Sequence, residues 1–169
     1  HTWSLSIEEQ FYILFPLFLF LIFKFFEKYL IHFLVASFLF SFVLSNWFSL
    51  NYPPVSFYFI HTRMWELLAG SILAYFEIKR GHRSTNTVLK LILPFTGILL
   101  IIFSILLFNN NILHPSLFTL IPVIGVSLII WFSNDNELIT KILSSRLFVG
   151  VGLISYSLYI WHYPIFAFA

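Results

Sequence analysis

Three short stretches of this chain carry side chains that could do chemistry. In Trp3-Ser4-Leu5-Ser6-Ile7-Glu8-Glu9-Gln10-Phe11-Tyr12, two adjacent carboxylates stand before a long apolar run. In His61-Thr62-Arg63-Met64-Trp65-Glu66-Leu67-Leu68-Ala69-Gly70, a guanidinium and a carboxylate are three residues apart, the spacing at which a helix sets them on one face. In Gly152-Leu153-Ile154-Ser155-Tyr156-Ser157-Leu158-Tyr159-Ile160-Trp161-His162-Tyr163-Pro164, the residues Ser155, Tyr159 and His162 fall on one helical stripe. An arginine so placed can meet a carboxylate, a phosphate or a developing oxyanion. A histidine among aromatics can act as general base or donor near neutral pH.

Each stretch also has a plainer reading. Ser6 followed by Glu9 has the spacing of a capping box, which would satisfy amide donors at a helix start. That leaves Glu8, which shares a helical face with Ser4 and Tyr12, as the acid available for function. Arg63 and Glu66 can be an internal ion pair that makes a helix tolerable at its mouth. Gly70, with Ala69, Ser71 and Ala74, is expected to allow close approach of a neighbouring helix. Trp161 and Tyr163 suit an interfacial aromatic belt, and His162 can be a hydrogen-bonded structural histidine.

The elements that must position these residues follow from composition. Hydrophobic residues make up 60% of the 169, aromatics 21% and charged residues only 9%, with 23 phenylalanines and no cysteine. A soluble domain needs more polar surface. The apolar runs are continuous rather than alternating, and several are long enough to cross a hydrocarbon core of roughly 30 Å. The pattern predicts an all-α polytopic membrane protein with about six transmembrane helices in one domain over residues 1–169. The spans are expected near Ser6 to Phe26, Tyr29 to Phe48, Thr62 to Ile78, Leu91 to Phe108, Ser116 to Phe132, and Leu147 to the end. The missing initiator Met, and a start inside a motif, predict a piece of a longer chain.

Charge placement predicts orientation. Lys24 and Lys28, then Lys79, Arg80, Arg83 and Lys90, then Lys141 and Arg146 account for all but one of the 9 Lys and Arg residues. They occupy alternate connections, which the positive-inside rule places in the cytoplasm. Residues 1–9 then lie outside. His162, on the order of 22 Å up the last span, reaches the same level as Glu8, Glu9, Arg63 and Glu66. No metal motif, phosphate-cradling glycine loop or nucleophile elbow is present, and nothing supports nucleic-acid binding.

Together the three stretches resemble the acyltransferase 3 family of integral-membrane O-acyltransferases. Trp3 to Tyr12 resembles that family's Trp-Ser-Leu-x-x-Glu-x-x-Phe-Tyr segment. Arg63 to Gly70 resembles its Arg-x-x-Glu-Leu-x-x-Gly segment. Ser155 to Pro164 resembles its Ser-Tyr-x-Leu-Tyr-x-x-His-x-Pro segment. Order and rough spacing agree, and the resemblance covers the whole chain. It implies a bundle of about ten spans, of which this chain corresponds to about the fourth to the ninth.

The resemblance further implies transfer of an acyl group, usually acetyl, from acyl-CoA to hydroxyls of an envelope glycan such as lipopolysaccharide O-antigen or peptidoglycan. The protein would sit in the bacterial cytoplasmic membrane among lipid. The family's catalytic histidine belongs to earlier spans, so this fragment alone is expected to be inactive. On this reading Arg63, Glu66 and Glu8 are the catalytic candidates, and Trp3, Ser4, Tyr12, Tyr159 and His162 are expected to bind the acceptor. The rival expectation is a transporter component for a glycan or lipid-linked substrate, since charges within spans also mark substrate paths.

Overall fold

The computed structural model of the chain describes residues 3–52, 56, 58–80, 87–108, 115–133 and 138–168. Among them every regular element is helical. Helix α1 is Trp3–Phe26, and a short 3-10 turn, Glu27–Tyr29, leads into α2, Leu30–Asn51. Helix α3 is Ile60–Arg80 and α4 is Thr87–Leu107. A second 3-10 turn, Leu117–Thr119, opens α5, Leu120–Phe132. Helix α6, Leu138–Leu143, is short, and α7 is Arg146–Phe168. Each of the six predicted spans is therefore a helix, and α6 is an element the apolar pattern did not announce. Two stretches, Leu5–Asn51 and Val88–Leu107, are long and apolar enough to cross a membrane by length and composition.

The start of α1 corrects one expectation. The helix already includes Trp3, so Ser6 is inside it and caps nothing, and neither Glu8 nor Glu9 is in the first turn. The Ser6 hydroxyl instead accepts from Gln10 Nε2 at 3.4 Å, one turn on. A reciprocal cap does form elsewhere. Ser116 Oγ accepts from the Phe118 amide at 3.3 Å, and the Ser116 amide donates to Thr119 Oγ1 at 3.0 Å. This cap begins the 3-10 turn that feeds α5, a place where orphan amides need an acceptor.

Packing concentrates in two helix pairs, α2 with α3 and α4 with α5. Around the first pair lies an apolar cluster of Phe11, Ile22, Leu30, Leu34 and Leu68, with Phe15 stacked on Phe11 at 4.7 Å. Trp65 of α3 is fully buried and meets Phe38 and Phe42 of α2 edge-on, at ring distances of 6.0 and 5.1 Å. Such edge-to-face pairs let the electropositive ring edge meet the electronegative face. The Trp65 Nε1 atom is buried without a partner among the described residues, an uncompensated cost accepted for the shape of the ring.

The second pair is joined by backbone contact. A Cβ placed on Gly97 of α4 would sit 2.6 Å from the Gly125 carbonyl oxygen, and one placed on Gly125 of α5 would sit 2.7 Å from the Gly97 carbonyl oxygen. The two glycines are each other's reason for having no side chain. This places the close approach where sequence reading did not. Gly70, expected to admit a neighbouring helix, has nothing within 4 Å of its Cβ direction and opens onto a groove instead.

Candidate functional site: the mouth of helix α3

Helix α3 enters the bundle with Arg63 and Glu66 in its first two turns. The Arg63 Nη2 atom lies 3.6 Å from Glu66 Oε2, and both side chains are about three-quarters buried. The expected ion pair therefore forms. Glu66 Oε1 is buried and has no hydrogen-bond partner among the described residues. The pair thus uses one carboxylate oxygen, while the other is sealed from solvent without a donor among the described residues.

A line of hydroxyls fixes this helix mouth. Ser41, Ser45 and Ser49 of α2 are spaced by one helical turn and are each at most 1% exposed. Ser41 Oγ donates to the His61 carbonyl at 2.6 Å and accepts from the Trp65 amide at 3.0 Å. Those are the two backbone groups that a helix pairs across one turn, and Arg63 lies between them. The Ser41 hydroxyl is thus spliced into the backbone on either side of the guanidinium. Thr62 Oγ1, also buried, shares its proton between the Ser56 and Phe59 carbonyls at 2.6 and 2.7 Å. Ser45 donates to the Pro115 carbonyl at 3.2 Å, Ser49 donates to the same oxygen, and the Ser49 and Ser56 hydroxyls are hydrogen-bonded to each other at 2.8 Å. The network ties α2, the start of α3 and the entry to α5 at one end of the bundle.

Sequence reading missed these serines. Their signal was present as serine at every fourth position of an otherwise apolar span, but serine on an apolar helix is commonly satisfied by its own backbone. Ser71 and Ser104 do that, bonding the carbonyls of Leu67 and Leu100. Only the neighbours distinguish the two cases.

The other predicted site residues are placed less centrally. Glu8 and Tyr12 are exposed on α1, which packs against both α2 and α3. The side chains of Trp3 and Ser4 lie outside the described residues, as does Arg83. Tyr159 and His162 are half-buried on α7, whose main packing partner is α6 rather than α3. The His162 Nδ1 atom is bonded to the Tyr159 carbonyl one turn back. Pro164 lacks an amide, so the Ile160 carbonyl receives no helical bond from it. The structure thus joins Arg63 and Glu66 and leaves Tyr159 and His162 on a helix docked elsewhere. Among the described residues no cluster of acids and histidines could hold a metal ion.

Comparison with known proteins agrees with the motifs. An uncharacterized protein of Haemophilus influenzae is 32% identical over 146 residues, which cover 82% of this chain and 60% of that protein. The O-acetyltransferase OatA of Staphylococcus aureus is 32% identical over 177 residues, covering 99% of this chain and 29% of that one. The chain thus spans less than two thirds of the length of these relatives. No solved structure matches. The family model described as an acyltransferase domain, acyltransferase 3, matches residues 1–169. A match from the first residue to the last places this chain in the acyltransferase 3 family.

Proposed function

We infer that the chain forms part of a membrane-embedded O-acyltransferase that moves an acyl group, most simply acetyl, from acyl-CoA to a hydroxyl of an envelope glycan. The observation that carries this reading is the Arg63–Glu66 pair, held in a buried helix mouth by the Ser41 splice. In the transfer, the acceptor hydroxyl oxygen forms a bond to the acyl carbon and the thioester C–S bond breaks. The hydroxyl proton passes to a base and finally to the departing thiolate. Charge builds on the acyl oxygen meanwhile, and a guanidinium fixed in a low-dielectric site stabilises it without reorganising. Arg63 fills that role, and Glu66 holds its orientation. Glu8 and Tyr12, exposed on α1, form the outer approach for the sugar.

The bundle sits in the bacterial cytoplasmic membrane, with residues 1–9 outside and the basic connections inside. Large apolar side chains turned outward on every long helix support this, among them Phe20, Phe40, Ile78, Ile105 and Phe166. Water penalises such a surface, whereas lipid tails solvate it. The bundle is the middle part of a larger one of about ten helices.

The test is O-acetylation of envelope glycans, read by mass spectrometry, with the protein expressed from its natural reading frame. Arg63→Ala is expected to abolish acetyl ester formation while the protein remains at normal abundance in the membrane. Wild-type ester levels from a correctly inserted Arg63→Ala variant would remove Arg63 from the mechanism.

A further inference from the structure

Between α3 and α5 runs a groove of about 450 Å³, lined by Glu66, Gly70, Leu73, Thr119, Val126 and Ser127 among others. That volume is in the range of small-molecule sites, roughly 300–1,000 Å³. A slightly larger groove of about 480 Å³ lies between α1, α2 and α3, lined by Phe15, Leu19, Glu27, Ser71, Tyr75 and Lys79 among others. The ammonium at its mouth, Lys79, already contacts the Tyr75 hydroxyl at 3.1 Å. The α3–α5 groove differs in one respect: the carboxylate on its wall has a buried oxygen, Oε1, without a hydrogen-bond partner.

We propose that the α3–α5 groove is the subsite for the acceptor hydroxyl, which donates its hydrogen bond to Glu66 while Gly70 leaves room for the ring that bears it. This rests on the acyl-transfer reading and moves the acceptor's seat from the α1 and α7 surfaces to the interior wall of α3. Three observations support it. A desolvated carboxylate oxygen is costly until a donor reaches it, so the groove favours a ligand that brings one. The terminal carboxyl torsion is soft, so either oxygen can turn to the donor while the other stays with Arg63. Gly70 faces open space, and the Cβ of any other residue would project into the groove. A hydroxyl bonded to Glu66 stands next to the guanidinium that receives the developing charge, which is the placement transfer needs.

The experiment supplies radiolabelled acetyl-CoA to membranes carrying the protein from its natural reading frame, with their own envelope glycan as acceptor. It counts label in glycan ester and label released as free acetate. Water fits a narrowed groove and a sugar ring does not. Gly70→Leu is therefore expected to lower the ratio of ester to acetate at least tenfold, and Gly70→Ala by less. Val126→Trp narrows the same groove from α5, so one variant decides if the other fails to insert. An unchanged ratio in either correctly inserted variant overturns the subsite. Wild-type membranes that make no acetyl ester overturn the transfer reading itself, and the acceptor role falls with it.

Discussion

The α2–α3 seam and the α4–α5 seam hold helices together by opposite means. Along α2–α3 the contact is made by side chains: serine hydroxyls on backbone groups and Trp65 set between Phe38 and Phe42. Along α4–α5 it is made by backbones, through Gly97 and Gly125. In a lipid environment there is no hydrophobic drive between helices, so each seam relies on packing or on hydrogen bonds. Glycine gives proximity but little angular information. Hydroxyls on named carbonyls fix rotation and register as well. The candidate site sits on the hydroxyl seam, where an arginine must be aimed. The glycine seam sets only how near α5 stands, and α5 forms the far wall of the groove.

Substitutions can break this contrast in graded steps, read by reversible unfolding in detergent. Trp65→Ala should cost most, about 3–5 kcal/mol, because it empties the fully buried plug of the hydroxyl seam. Gly97→Ala and Gly125→Ala should each cost about 1–3 kcal/mol by forcing the helices apart. The double variant should cost less than their sum, since the first separation already makes room for the second methyl. Full additivity would show that the two glycines are not in reciprocal contact.

Ser41→Ala should cost about 1–2 kcal/mol, two hydrogen bonds being lost in a buried seam. It should also lower acyl transfer through Arg63, whereas Gly97→Ala should act on stability first. A Ser41→Ala variant with wild-type activity would separate the seam from the site. Trp65→Phe should be the mildest, within about 1 kcal/mol, because it deletes the unpartnered Nε1 and keeps an aromatic plug.

The helices were legible because long apolar runs leave the backbone no other way to satisfy its polar groups. The Arg63–Glu66 pair was legible because i,i+3 spacing is a local property. The capping box at Ser6 and Glu9 was misread for a local reason too: the serine–glutamate spacing is the same whether the helix starts at Ser6 or at Trp3. The glycines failed differently. Gly70 stands in a run of small residues and looks made for contact, but Gly97 and Gly125 make it. Which glycine meets which is a tertiary fact, and each partner lies on a different helix. Ser41, Ser45 and Ser49 are intermediate. Their spacing is visible, but their acceptors, at His61 and Pro115, are contributed by distant segments.

The Pro115 carbonyl spends both its lone pairs on α2, one on Ser45 and one on Ser49. That single atom divides the connection ahead of α5 into two regimes of tolerance to length change. Residues inserted upstream of it lengthen a tether whose far end is already tied, and doubling such a loop adds only about 0.6 kcal/mol of closure entropy. Residues inserted between Pro115 and Leu120 would turn and slide α5, carrying Gly125 out of line with Gly97. Variation in loop length is therefore expected before Pro115, and constancy of spacing from Pro115 to Gly125.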